Sequence, residues 1–203
     1  MPKKLIIVFE GIEGTGKSHH INNVAKYLKK KNKKFIQIRE PGGSKNAEKI
    51  RKVILNNKST FNKYTDLLLY MSARSENIEL IKKNIGKKII LIDRFIDSTI
   101  AYQHYGMGVN LKIIKIINNY LLKNITIDFT FLNIVNKMNM KKRLMKRKNL
   151  NRYDRFNSSF YERVQKGFIK IFKENPKKYL KIDSNLDINH NEKIILNKIK
   201  ELI

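Results

Sequence analysis

Apolar residues along this chain follow two alternating rhythms. The first is a short unbroken run, Leu5-Ile-Ile-Val-Phe9, whose length and lack of polar interruption predict a strand buried on both faces. The second is recurrence at i, i+3, i+4 and i+7, as in Ile21, Val24, Ala25 and Leu28, which predicts an amphipathic helix. The alternation continues to the end of the chain. A second strand is predicted over residues 34–39, around Phe35, Ile36 and Ile38. A helix follows that starts near Ser44, a side chain suited to cap it, and runs through Ile50, Val53 and Ile54. A long helix is predicted over 61–84, with Phe61, Tyr64, Leu68, Met71, Ile78 and Ile81 as its apolar stripe and Gly86 at its end. Then come a strand at 88–92, helices at 97–105 and 111–122, and a strand at 129–135. A last pair of helices, 158–172 and 190–202, flanks a short strand at 179–182.

Strands that alternate with helices argue for an α/β fold, a central parallel five-stranded sheet flanked by helices on both faces. With 203 residues, no internal repeat and only three prolines (Pro2, Pro41 and Pro176), the chain reads as one domain spanning 1–203. The absence of cysteine excludes disulfides and thiolate metal sites and fits a reducing compartment. The opening residues 1–4 and the short apolar run after them lack the pattern of a signal peptide. No stretch approaches the roughly 20 apolar residues of a membrane span. The expectation is a soluble, cytoplasmic protein with no membrane attachment.

Charge alters the picture less than its size suggests. Lys and Arg number 44 against 17 acidic residues, a net charge of +27 that raises nucleic acid as a partner. The lysines are spread throughout, beside abundant Asn and Ile, and no recognition motif accompanies them. The reading is a solvated basic surface without a dedicated nucleic-acid role, whose field favours the approach of anionic nucleotides.

Chemistry concentrates where strands are predicted to end, which is where open parallel sheets bind ligands. After the first strand, Gly11, four residues and Gly16-Lys17-Ser18 fit the phosphate-binding loop GxxxxGK[ST]. Glycines let backbone N–H groups converge on a phosphate, Lys17 adds a point charge, and the Ser18 hydroxyl suits Mg²⁺. A strand before the loop and a helix after it complete the required setting, because the helix N-terminus favours anions. The second strand ends in Arg39-Glu-Pro-Gly-Gly43 and the third in Asp93-Arg94. An apolar strand ending in an acid resembles the second signature of phosphate-loop enzymes, so Asp93 joins Ser18 as a candidate for the metal. Arg94 beside it can clamp a phosphate with two parallel hydrogen bonds.

Several segments together resemble the thymidylate kinase family along nearly the whole chain. They are Phe9-Glu-Gly-Ile-Glu-Gly-Thr-Gly-Lys-Ser18, Arg39-Glu-Pro-Gly-Gly43, Ala47-Glu-Lys-Ile-Arg51, Ser72-Ala-Arg74, Asp93-Arg-Phe-Ile-Asp-Ser98, Ala101-Tyr-Gln103 and Phe160-Tyr-Glu-Arg-Val164. The resemblance implies a nucleoside monophosphate kinase with the phosphate-loop NTPase fold. It would transfer the γ-phosphoryl group of ATP to dTMP with Mg²⁺, serve dTTP biosynthesis, and act as a homodimer. It further implies that Gly11, Ile12, Glu13, Gly14, Thr15, Gly16, Lys17 and Ser18 hold ATP. On the acceptor side, Tyr70 would stack on thymine and Arg74 would bond its carbonyl edge. Thr99 and Gln103 would contact the base, Tyr102 would crowd the sugar 2′ position, and Arg94 would clamp the dTMP phosphate beside Arg39 and Glu40. Glu13 would lie near the acceptor's sugar.

Gly14 is informative within that resemblance. Some relatives carry arginine there, whereas others, the bacterial kind, have a small residue and supply arginine from a lid. The lid is expected at about 140–156, inside the dense basic run from Lys141 to Lys148 and on to Arg152. Arg143, Arg147 and Arg152 are its arginines, and which one closes on the phosphates stays open. Arg147 is assigned to ATP. Arg152, aligned through Phe160, is assigned with Lys17, Arg94 and Glu13 to catalysis. The lid exit departs from the family's Asp-Arg-hydrophobic-Glu, reading Asn151-Arg-Tyr-Asp154. None of His19, His20, His104 or His190 fits a catalytic pattern, as expected when the acceptor is already an anionic phosphate. Another nucleotide kinase of the same fold, or a basic nucleic-acid-dependent ATPase, are the rival readings.

Overall fold

All six residues of the first strand, β1 (Leu5–Glu10), are buried, which requires a neighbour on each edge and a layer on each face. A computed structural model, describing residues 5–147 and 150–203, supplies both. β1 runs parallel to β3 (Ile89–Asp93) on one side and to β4 (Phe129–Ile134) on the other. β2 (Phe35–Arg39) extends the sheet beyond β3, and β5 (Tyr179–Asp183) extends it beyond β4. The order β2-β3-β1-β4-β5, parallel throughout, is the expected five-stranded sheet.

Alternation along β1 builds two layers. Leu5, Ile7 and Phe9 face Ile21, Val24 and Leu28 of α1 (Lys17–Lys30) and Ile195 and Ile199 of the C-terminal helix, which spans Ile188–Leu202. Ile6 and Val8 face the other way, onto Ile38, Ile90, Ile92 and two isoleucines, Ile78 and Ile81, of a long helix. Each fully buried isoleucine here contributes roughly 1.5–3 kcal/mol by leaving water. Register then fixes the site: Phe9 pairs with Asp93, and Arg39 pairs with Asp93 from the other side. The three polar strand ends therefore lie at one level.

After β2, Ser44 accepts from the Ala47 N–H and caps α2 (Lys45–Leu55). The long helix, α3, covers Lys63–Asn84, two residues shorter at its start than the pattern predicts, because the Asn62 side chain caps it by accepting from Tyr64 and Thr65. Its predicted stripe needs correction. Tyr64 and Leu68 are exposed, while Leu67, Met71, Ile78 and Ile81 are buried together with the polar Asp66, Arg74 and Asn77. Hydrophobic periodicity misreads a helix whose buried face is partly a polar network.

The helix predicted at 97–105 is one turn of α-helix, α4 (Ile96–Thr99), followed by wider π-helical turns over Ile100–Gly106. Such turns are rare and gather at functional sites. α5 (Leu111–Leu122) lies where predicted. After β4 come α6 (Lys137–Met145) and a 3₁₀ turn, Arg152–Arg155, which fall in the basic stretch expected to act as a lid. α7 (Ser158–Glu174) packs against the π segment, where Gly106 and Gly167 leave room for the rings of Phe160 and Tyr105. The C-terminal helix is α8. Residues 1–4, on which the leader reading rests, and Lys148 of the basic run lie outside the described residues.

Candidate active site

The loop from Gly11 to Gly16 turns through conformations that side chains with a Cβ disfavour, with φ of +133° at Gly11, +72° at Gly14 and +83° at Gly16. At Gly11 a Cβ would also collide with the Asn133 carbonyl of β4. Lys17 opens α1 and folds back across the loop, donating to the Gly11 and Ile12 carbonyls at 2.8 Å each. Burial, and next the positive Arg94, lower its pKa to about 7. A buried ammonium with a cation for a neighbour is a site in want of an anion. The Thr15 hydroxyl ties the loop by donating to the Ile12 carbonyl at 2.9 Å.

Ser18 and Asp93 meet across the strand ends, the hydroxyl donating to the carboxylate at 3.1 Å. One hydroxyl and one carboxylate suit Mg²⁺, which keeps most of its shell for water and phosphate oxygens. Among the described residues no cluster of three or more His, Cys, Asp or Glu forms a cation cage.

Arg94, at φ +67°, turns back over the loop and donates to the Gly11 carbonyl at 2.8 Å and to Glu13 at 2.9 Å. Its guanidinium lies 5.2 Å from the centre of the Tyr102 ring, and the Tyr102 hydroxyl donates to Glu13. Glu13, Arg94 and Tyr102 thus form one unit. Arg39 is held by Glu48 through two bonds of 2.9 and 3.0 Å. Arg51 enters the same wall of the cleft, donating to the Pro41 carbonyl at 2.5 Å, and burial and then Arg39 lower its pKa. Sequence reading assigned Arg51 no role. A signal was present, since it shares the buried side of α2 with Ala47 (i−4) and Ile54 (i+3).

These groups surround a cavity of about 320 Å³, within the range of small-ligand pockets. Its wall includes Glu13 to Ser18, Arg39, Glu40, Arg51, Tyr70, Asp93, Arg94, Tyr102, Gln103 and Arg147. Arg74 and Thr99 are one layer further back. Arg74 is fully buried and every nitrogen of its guanidinium has a protein acceptor: Glu40 at 2.7 and 2.9 Å, Asn118 at 2.7 Å, and the Phe95 carbonyl and Thr99 hydroxyl at 2.9 Å each. Glu10 was also missed by sequence reading. Buried beneath the loop, it accepts from the Phe95 and Ser98 N–H groups and the Ser98 hydroxyl, stitching β1 to the turn that carries Arg94.

The three arginines expected to serve a lid have different stations. Arg143 donates to the Gly14 and Ser184 carbonyls at 2.8 and 2.7 Å. Arg147 borders the cavity, paired with Asp154 at 2.6 Å. Arg152 turns away from the loop and pairs with Asp66.

Comparison with known proteins follows the same lines. The thymidylate kinase family model matches residues 9–195. The chain is 37% identical to a thymidylate kinase of Mycoplasma capricolum subsp. capricolum, over 97% of each chain. It is 33% identical to one of Thermoanaerobacter sp., covering 99% of this chain and all of that one. The chain belongs to the thymidylate kinase family. A crystal structure of thymidylate kinase from Ehrlichia chaffeensis superimposes with a TM-score of 0.79 at 31% identity, over 98% of this chain and 99% of that one. Phosphoryl transfer to dTMP is the function of thymidylate kinases, which are nucleoside monophosphate kinases of the phosphate-loop fold that use ATP. Among the described residues, no helix is long and apolar enough to cross a membrane.

Proposed function

We propose that the cleft seats ATP at the glycine loop and dTMP opposite it, with the two phosphate ends meeting between Lys17 and Arg94. The observation that carries this reading is the convergence of five cations, Lys17, Arg39, Arg51, Arg94 and Arg147, on one cavity whose wall holds three carboxylates, Glu13, Glu40 and Asp93. In the proposed complex Lys17 exchanges the Gly11 and Ile12 carbonyls for phosphate oxygens. Arg94, aided by Arg39 and Arg51, clamps the acceptor phosphate, so the attacking oxygen is held in line without a general base. Ser18 and Asp93 would hold Mg²⁺, which supplies neutralisation of phosphate charge. Arg147 is the lid arginine favoured for the transferring group, since it borders the cavity while Arg152 is committed to Asp66.

On the acceptor side, Tyr70 and Gln103 face the base and Tyr102, fixed by Glu13, crowds the sugar. Arg74 and Thr99 contribute to the base site in this conformation through Glu40 and the Phe95 turn rather than from the cavity wall. The unit of function is one domain with a lid at about 140–156, acting in the cytoplasm as a homodimer. Support for the dimer is apolar surface on two helices that pack together through Leu67, Met71 and Ile114, where Tyr64, Leu68, Ile116 and Tyr120 are exposed.

The deciding experiment is a panel of dTMP, dUMP, UMP, AMP and thymidine with ATP and Mg²⁺, read by product chromatography. Conversion of dTMP to dTDP with the highest kcat/KM is expected. A stronger response to AMP, UMP or thymidine would overturn the reading.

A further inference from the structure

Asp66 lies in the first turn of α3 with no exposed surface, and three donors converge on it. Gln103 of the π segment donates its side-chain amide to Oδ2 at 3.0 Å. The Tyr153 hydroxyl, from the lid's 3₁₀ turn, donates to the same oxygen at 2.6 Å, and Arg152 pairs with Oδ1. With Arg152 as its counter-charge the side chain is a carboxylate, and a carboxylate only accepts hydrogen bonds. Gln103 therefore has no choice of amide orientation: its NH₂ turns to Asp66 and its Oε1 turns away. Gln103 borders the cavity, is itself fully buried, and its Oε1 has no partner among the described residues. A buried acceptor left unpaired costs free energy until a donor arrives.

We propose that Asp66 is a positioning residue for base selection: by fixing the Gln103 amide it presents an acceptor, and so admits an acceptor nucleotide whose base carries a ring N–H. This deepens, and rests on, the reading of the cleft as a nucleotide-acceptor site. Thymine and uracil carry such an N–H, whereas cytosine has an unprotonated ring nitrogen there that would face Oε1 lone pair to lone pair. A site built around one hydrogen bond rejects the analogue that lacks it far more strongly than shape alone does. The same carboxylate holds Tyr153 and Arg152, so the lid turn and the base reader share one anchor.

The test compares kcat/KM for dTMP and dCMP in the wild type, Asp66→Asn and Asp66→Glu, with thermal melting of each. Asn can donate as well as accept, which frees Gln103 to reverse. D66N is expected to lower the dTMP-to-dCMP ratio by at least about tenfold, mainly through KM. Glu, again acceptor-only, is expected to keep the preference even if overall rate falls. Should D66N fail to fold, Asp66→Ser, also free to donate, takes its place with the same expectation. Tyr153→Phe removes the lid bond without touching Gln103, so it should leave the ratio within twofold while lowering kcat. A ratio unchanged in folded D66N or D66S, or shifted equally in D66E, overturns the proposal while the wild type still phosphorylates dTMP. A wild type inactive on dTMP would instead strike the acceptor reading beneath it.

Discussion

Lys17 is the residue whose state must change most when substrate arrives. Its pKa of about 7 reflects burial and then Arg94, with only carbonyls and a threonine hydroxyl bonded to the ammonium. Phosphate oxygens favour the charged form, so at pH 8 the free protein holds Lys17 largely neutral and the complex holds it protonated. ATP binding at pH 8 should therefore take up close to one proton, and apparent affinity should weaken as pH rises above 7. Calorimetry in buffers of different ionisation enthalpy reads this directly, and Lys17→Met should abolish the uptake. The same variant should lower kcat by about 10²–10³ with an unchanged melting profile. Arg94 faces a stricter geometric demand. Its two-pronged contacts with the Gly11 carbonyl and Glu13 prefigure a phosphate clamp that lysine cannot copy. Arg94→Lys should raise the dTMP KM by at least about tenfold while the ATP KM stays near wild type.

Elements show why these residues stand where they do. The π segment carries Tyr102 and Gln103, and it lies against α7 closely enough that a Cβ at Gly167 would run into the Tyr105 ring. Gly167→Ala should cost about 1–3 kcal/mol in denaturant titration and raise the dTMP KM as the segment shifts. The central strands were legible as apolar runs because they are buried between two layers, and α1, α2 and α5 were legible from helical spacing because each buries an apolar face. α3 was legible in extent but not in face. Asp66, Arg74 and Asn77 are buried by bonding to polar groups of other elements, not by hydrophobicity, so a periodicity of apolar residues assigns Tyr64 and Leu68 to the core in their place. The π turns left no trace in apolar spacing, and the helix they pack against, α7, lies more than fifty positions away in sequence. Motif spacing located the glycine loop, and polar strand ends located Asp93 and Arg94, while charge density marked the basic run without distinguishing Arg143, Arg147 and Arg152. None of these could say that Arg74 would be enclosed by Glu40 and Asn118, because those partners come from other elements.

For the molecule as a whole, stability and site are linked through a pair of buried acids. Burial, and next Glu10, push the Asp97 carboxyl up to about 7 from 3.8, and Glu10 is raised as well, chiefly by burial. Between these values the folded chain keeps a proton on Asp97 that the unfolded chain releases, so the contribution of Asp97 to stability falls as pH rises through the window and levels off above about 7, against an opposing contribution from His20, whose pKa burial lowers to about 4. Asp97→Asn, which imitates the protonated form and can still accept from Tyr179, should gain on the wild type by more than about 1 kcal/mol between pH 5 and pH 8 in chemical denaturation. The net charge of +27 acts at the same scale, and nucleotide association rates should fall with added salt. The proposed dimer has its own check: Ile116→Lys should shift sedimentation towards monomer without changing far-UV dichroism.

Gly14 links these scales. A Cβ there would already touch the Met140 carbonyl and the Arg143 Cβ of α6 at 3.5 Å, and φ is +72°. A side chain at position 14 would be strained in its backbone and would rest against α6, the helix whose Arg143 donates to the Gly14 carbonyl, so any lengthening there is felt first by the contact that ties the loop to the basic run.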